Sequence, residues 1–346
     1  MLTHTQESNT VLSTNTIALA QIQLACLSLL TGEITDAEQR LQAAHETIQT
    51  NPLATQVEPL YEIVMGKLLL TQGDFQSAEL HFNNAYPLAE AVQHPLVAAE
   101  AMYGQAEARL ARADLNAAHE TFLAVGRQFQ LVESTNGDGL AILGLAQVNI
   151  GQEKWEEAQE NCATALNRFQ QASDLLDQAD ALLVRGLIHR SQEELNEALA
   201  DFQEALKLYQ QQHRPLGVAD ARFACGSIYL LRGDLEYARQ EQSQAILQVE
   251  HVMHTISNSE RWGLFLRQYA EQYAQTCITD TRNQQIAQAR TLAHNFARIA
   301  GKAAIEQHLK AYQDTIPTEG EDFSVEELRA NKALVKNLEQ VRKGLP

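Results

Sequence analysis

The stretch Gly66-Lys67-Leu68-Leu69-Leu70-Thr71-Gln72-Gly73-Asp74-Phe75-Gln76-Ser77-Ala78-Glu79-Leu80-His81-Phe82-Asn83-Asn84-Ala85 reads as two helical patterns around one turn. Gly73 ends the first and Asp74 opens the second, because glycine closes helices and an acid complements a helix N-terminus. Phe75, Ala78, Phe82 and Ala85 follow at offsets that share one helical face. Gly66, twelve residues before Ala78, is small enough to let two helices approach closely.

The pattern recurs along the chain. Ala37, Ala78, Ala118, Ala158, Ala198 and Ala238 are spaced by 41, 40, 40, 40 and 40 residues, a register that marks stacked supersecondary units. Seven residues after each anchor stand Ala44, Ala85, Val125, Ala165, Ala205 and Ala245, and four after it Leu41, Phe82, Phe122, Cys162, Phe202 and Gln242. Three before it come Ile34, Phe75, Leu115, Trp155, Leu195 and Leu235; twelve before it Ala25, Gly66, Ala106, Ala146, Gly186 and Gly226. The upstream helices also carry Ala20, Ala101, Ala141, Ala181 and Ala221, with Tyr61 as the exception, and Leu27, Leu68, Val148, Ile188 and Ile228. Each period is therefore a helix, a short turn, a second helix and a longer connection, stacked on the next.

Composition agrees. Of 346 residues, 45 % are hydrophobic and 20 % charged, and none of the seven prolines falls between Pro95 and Pro215, so helix is the default. No run of 18 apolar residues and no basic, then apolar, leader is present, which argues against a membrane span and a secretory signal. Cys26, Cys162, Cys225 and Cys277 are too scattered for a disulfide scaffold or a zinc site, and suit a reducing, cytoplasmic setting. A net charge of −18 would repel nucleic acid and anionic lipid.

A small residue, a Gly-Asp turn, Ala, then Phe and Ala at plus four and plus seven resemble the tetratricopeptide repeat over about residues 15–247. That family's usual period is about 34 residues, so each hairpin here is longer by roughly six, as in polarity adaptors, the sensing arm of maltose-regulator-type transcription factors, and helical arms of caspase-like proteases. The resemblance implies an all-α solenoid of six to seven hairpins in a right-handed superhelix. Gln242, in place of the aromatic, and Arg109, Asn149 and His189 depart from its pattern.

Residues 1–14 are polar and expected to be disordered. Residues 248–312 are expected to form a degenerate seventh hairpin, with one long aromatic helix from Ser259 to Thr276, a second from Asn283 to Ala300, and a capping helix from Lys302 to Tyr312 that covers the last apolar face. Residues 313–322 read as an acidic linker. In 323–346, Ser324 and Glu327 form a capping box before Val325, Leu328, Val335, Leu338 and Val341, an apolar stripe at helical spacing. This tail holds five bases and three acids, leaving −20 for the preceding 322 residues.

No phosphate loop, HExxH or GxSxG is present, Cys162 and Cys225 fall on core positions, and Glu250, His251 and His254 lack further ligands at a metal spacing, so neither an enzyme, a metal site nor a cofactor is expected. The resemblance instead implies partner binding on the concave face of the first helices. Its inward positions hold Ile22, Ile63, Tyr103, Leu143, Leu183 and Phe223; Leu19, Leu60, Glu100, Leu140, Asp180 and Asp220; and Cys26, Lys67, Glu107, Gln147, Leu187 and Ser227. The candidate partner-binding set is Ile63, Lys67, Glu100, Tyr103, Glu107, Leu143, Gln147, Asp180, Leu183, Asp220 and Phe223. Its apolar members either line an open face or pack against the neighbouring hairpin. An open face suits a protein or peptide segment with apolar anchors and basic flanks. A scaffold or adaptor is the leading expectation. A sensor for a small peptide or metabolite, or an accessory arm of a caspase-like protease, are the alternatives. The basic clamp that holds acidic chaperone tails is missing, its five positions being Ile22, Cys26, Val64, Glu100 and Gly104.

Overall fold

A computed structural model of the protein describes residues 2–50, 54–301 and 304. Twelve helices pair into six hairpins: α1 (Leu2–Thr31) with α2 (Ile34–Thr50), α3 (Glu58–Thr71) with α4 (Phe75–Ala91), α5 (Pro95–Ala111) with α6 (Leu115–Leu131), α7 (Thr135–Gly151) with α8 (Trp155–Ala172), α9 (Leu175–Ser191) with α10 (Leu195–Gln211), and α11 (Pro215–Arg232) with α12 (Leu235–His254). Three shorter helices follow: α13 (Trp262–Arg267), α14 (Ala270–Arg282) and α15 (Ile286–Ala300). Among the described residues there is no strand.

The period has a simple origin. α5, α6 and α7 are each 17 residues long, and three-residue turns separate them, so two helices and two turns occupy 40 residues. The added length lies in the helices, and the connections between the later hairpins are as short as the turns within them. Asp74, Asp114, Ser134 and Asp174 cap the helices that follow by accepting from backbone N–H groups.

Rings from the second helices fill holes over small residues of the first helices. Phe82 is fully buried between Gly66 of its own hairpin and Gly104 of the next; a methyl group added at either would lie 2.6 or 2.3 Å from the ring. Phe122 meets Gly144, and Phe202 meets Gly186, in the same way. In the sixth hairpin Gln242 replaces the ring over Gly226. Its side chain is 0 % exposed, and neither amide atom finds a hydrogen-bond partner among the described residues.

The array curls until its end meets its beginning. The Thr35 N–H donates to the Thr255 carbonyl at 2.8 Å, the Ile34 N–H to Thr255 Oγ1 at 3.1 Å, and the Thr255 hydroxyl to the Gly32 carbonyl at 2.7 Å. Arg261 bonds Gln72, Ser257 bonds Glu38, and the Gln268 amide donates to the Thr71 carbonyl at 3.1 Å. One apolar cluster contains Ile22 and Leu41 of the first hairpin, Phe223 and Val252 of the sixth, and Phe265, Tyr273 and Phe296 beyond it.

Two expectations change and one lies beyond the described residues. α1 starts at Leu2 and so takes in residues 2–14 of the segment expected to be disordered, where no glycine or proline interrupts the helix. The long helix expected from Ser259 breaks at Gln268 and Tyr269 into α13 and α14, so that Phe265, Tyr269 and Tyr273 turn into the closing cluster. The last hairpin's apolar face is covered by hairpins one and two; the capping helix expected at 302–312, the linker at 313–322 and the tail helix at 323–346 lie outside the described residues.

Gly73 and Gly233 occupy equivalent turns at φ +81° and +82°, a left-handed conformation that costs a side chain roughly 1–2 kcal/mol. They differ in surroundings. A methyl at Gly73 would sit 2.5 Å from the Leu264 carbonyl oxygen, whereas nothing lies within 4 Å of one at Gly233. Gly73→Ala should therefore lose about 1–3 kcal/mol more than Gly233→Ala, measured by chemical denaturation; equal losses would refute the closure. Phe202→Ala should cost about 3–5 kcal/mol and Gly186→Leu about 1–3 kcal/mol, with the exposed Gln203→Ala within about 0.5 kcal/mol. Gln242→Met, which removes two unpaired amide atoms from the core, should gain about 1–3 kcal/mol in the same assay.

Candidate functional site

The first helices α3, α5, α7, α9 and α11 stand side by side, and the curl of the array turns one face of each inward. On that face Lys67 of α3, Tyr103 and Glu107 of α5, Asp177 and Asp180 of α9 and Asp220 of α11 come within electrostatic reach of one another. Glu107 and Asp180 belong to hairpins separated by a whole repeat. Only curvature brings them together.

Each of these side chains is partly screened from solvent. Burial pushes the Glu107 carboxyl up to about 7, with the Lys67 charge and the Tyr103 hydroxyl opposing it and Asp180 and Asp177 adding repulsion. Burial, followed by repulsion from Asp180, pushes Asp220 up to about 7 as well. Asp177 rises to about 6 through burial, against a 2.8 Å hydrogen bond donated by the Asn136 amide. Asp180 is also raised by burial, although the Tyr209 hydroxyl donates to it and Arg214 lies near. Burial holds the Tyr103, Tyr209 and Tyr269 hydroxyls well above their ordinary range, so they remain hydrogen-bond donors at neutral pH. The wall thus combines acids that charge near neutrality with neutral tyrosines.

The candidate set divides. Lys67, Tyr103, Glu107, Asp180 and Asp220 lie on this wall, with Glu100 half-buried and Gln147 exposed nearby on the same helices. Ile63, Leu143 and Phe223 do not line it. They are buried in the apolar clusters beneath, where each packs against neighbouring helices, and Leu183 is partly buried in the same manner. Their inward register points at the adjacent hairpin, which a 40-residue repeat brings close. Asn136, Asp177 and Arg214 join the wall without having been legible, and the buried rings of Tyr209 and Tyr269 set their hydroxyls beneath it, near Asp180 and Asp220. Tyr209 comes from the end of a second helix, Arg214 from a turn, and Tyr269 from the break between α13 and α14, all outside the inward positions of the motif.

The remaining chemistry-bearing residues are dispersed. Glu250 faces Tyr273, His251 is exposed, and His254 stacks edge-on against Trp262 with centroids 4.9 Å apart. Cys162, Cys225 and Cys277 are buried and their thiols are pushed up to about 12 by that burial, which leaves no thiolate nucleophile at these positions at neutral pH. Among the described residues no helix is long and apolar enough to cross a membrane.

A family model described as tetratricopeptide repeat matches residues 140–211. No curated protein matches the chain. Among solved structures, NprR in complex with its cognate peptide NprX is similar at 13% identity and a TM-score of 0.54, covering 94% of this chain and 89% of that one. A Rap protein complexed with competence and sporulation factor is similar at 13% identity and a TM-score of 0.54, covering 87% of this chain and 98% of that one. The signal-transduction ATPase with a tetratricopeptide repeat sensor from Pyrococcus horikoshii matches at 15% identity and a TM-score of 0.51, over 81% of this chain and 45% of its own. Identities this low speak to the fold. Over residues 140–211 the chain matches the tetratricopeptide repeat, and its fold as a whole is an α-solenoid of the kind these structures share.

The raised carboxyls set a pH dependence. Glu107 and Asp220 bind protons more tightly in the folded state than in the unfolded one, so the stability they contribute is complete below about pH 4 and is lost as pH rises through about 7. Asp220→Asn and Glu107→Gln cannot charge. Their melting temperatures should match the parent at pH 4 and exceed it at pH 8; a constant difference between the two pH values would contradict the burial of these groups.

Proposed function

We propose that this protein is a non-enzymatic interaction module that holds a peptide or protein segment with basic groups and apolar anchors against its concave face. The observation that carries this reading is the inner wall itself, where Glu107, Asp177, Asp180 and Asp220 are drawn together by curvature beside Tyr103, with the Tyr209 and Tyr269 hydroxyls beneath. Acids that are raised by burial and by mutual repulsion gain from a cation that neutralises them, and the partly exposed Tyr103 ring adds apolar and cation–π contact. NprR, a protein of like fold, is seen with a peptide. That likeness supports a peptide-sized occupant, while the basic character is argued from the wall of this chain alone.

A second reading, a sensor for a short peptide or metabolite, is favoured by the closure. The contacts of Thr255 with Gly32, Ile34 and Thr35 tie the first hairpin to the sixth, so an occupant that alters the curvature would also strain them. The accessory-arm alternative loses the feature that suggested it, since the helix from Ser259 is broken at Gln268.

Selection from a random peptide library with the full chain tests the principal reading. Recovered sequences should be enriched in Lys and Arg beside apolar residues, and their affinity should rise between about pH 5.5 and 8, as the carboxyls charge, and fall with added salt. The combined variant Glu107→Gln, Asp180→Asn and Asp220→Asn should bind at least about tenfold more weakly while remaining folded. Acidic peptides, or unchanged binding by the variant, would overturn the proposal.

A further inference from the structure

α1 exposes a row of apolar residues that includes two positions, Ala20 and Leu27, which most later repeats bury. Ile17, Ala20, Leu24 and Leu27 follow one another at offsets of three, four and three, which places them in a single row. Ile17 is 55%, Leu24 40% and Leu27 57% exposed, and Ala20 is exposed as well. In the repeat register, Ala20 corresponds to Ala101, Ala141, Ala181 and Ala221, each 0–1% exposed. Leu27 corresponds to Leu68, Val148, Ile188 and Ile228, each 0–2% exposed. In the third to sixth hairpins this surface of the first helix meets the second helix of the preceding hairpin, as α5 meets α4 and α7 meets α6. α1 packs on α2 and α3, and among the described residues no helix lies on its other side.

The chain itself contains a segment of matching character. Residues 324–341 begin with a capping box and carry Val325, Leu328, Val335, Leu338 and Val341 at helical spacing. From Thr10 to Thr31, α1 holds no charged residue, so the contact it offers is apolar, and the +2 of residues 323–346 faces a body of −20. The tether reaches. The continuous described chain ends at Gly301 beside α13, where Arg267 donates to the Ala300 carbonyl, and α13 and Gln268 meet the turn of the second hairpin, whose α3 packs on α1. Residues 313–322 add up to about 33 Å when extended, and 302–312 about 16 Å even if fully helical. Together they exceed the roughly 45 Å length of α1. Four side chains fall far short of the roughly 20–30 residues a side of a stable interface between separate molecules. A tethered helix, by contrast, acts at an effective concentration on the order of millimolar.

We propose that residues 324–341 form an amphipathic helix that docks on the α1 face of Ile17, Ala20, Leu24 and Leu27, in the place a preceding second helix takes on the later repeats. The contact is on the outer end of the solenoid, apart from the concave wall, so it stands whether or not the peptide reading does.

Hydrogen exchange and sedimentation on the full chain test it. Amides of residues 325–341 should exchange at least tenfold more slowly than free peptide. Leu24→Glu with Leu27→Glu, and separately Leu328→Glu with Leu338→Glu, should bring them within about twofold of free peptide, with α7 to α10 unchanged and the chain monomeric throughout. If the charged α1 pair speeds exchange within α1 itself, Leu24→Ala with Leu27→Ala, which keeps helix propensity, decides instead. Tail amides at free-peptide rates in the parent, or protection that survives the α1 variants, would overturn the proposal. A dimer that those variants dissociate, with an unprotected tail, would assign the face to a second copy and overturn it equally.

Discussion

The ring of Phe82 over Gly66 and Gly104 is the contact from which the rest of the architecture follows. A phenyl group fills a volume that two neighbouring first helices leave open by omitting a side chain, so it binds its own hairpin and the next at once. Close packing of this kind gains dispersion energy over the whole ring surface and tolerates neither a gap nor an added methyl. Phe122 over Gly144 makes the same contact with the following hairpin, and Phe202 over Gly186 the same contact within its own, so rings over glycines set the spacing both within and between hairpins. A constant spacing is what turns a stack into a curve.

Curvature has two consequences that no single repeat contains. It brings the sixth hairpin and α13 to α15 onto the turns of hairpins one and two, where Gly32 and Gly73 leave room for Pro215, Val252 and the Leu264 carbonyl. Ala113, Glu153 and Glu193 adopt the same left-handed turn conformation without being glycine. Backbone geometry alone therefore does not select glycine at these turns; the approach of a second element at Gly32 and Gly73 does. Curvature also gathers acids from separate repeats onto one wall. Asp180 repels Glu107 there, and both carboxyls are raised, Glu107 to about 7, because the surrounding helices exclude water.

The wall and the closure bear on each other physically. Acids held together at a stability cost share the array with the ends that Thr255 fastens. Their local repulsion is tolerated because a scaffold packed elsewhere carries it. The wall's chemistry resides in residues of different repeats, while the scaffold is built within and between neighbouring hairpins.

Much of the fold was legible because a small set of local rules repeats. The Ala anchors, the ring four residues on in the second, third and fifth hairpins, the small residue twelve residues back and the acid at the turn act within one hairpin or between neighbours, and the anchors and rings are buried where the pattern puts them. Of the candidate site, the acidic positions Glu107, Asp180 and Asp220 could be read from register, since a motif fixes which way a helix side chain points. Whether Ile63, Leu143 and Phe223 meet solvent or a neighbour could not, because exposure depends on how closely the next helix stands. Asn136, Asp177 and Arg214 reach the wall, and Tyr209 and Tyr269 its underside, from outside the motif's inward positions, and Thr255 meets Gly32 across 223 residues of chain. Local pattern, then, determined the helices, their pairing and their facing sides, because those depend on contacts within some forty residues; the closure and the composition of the wall were decided by the summed rotation of six hairpins, which only the assembled structure expresses.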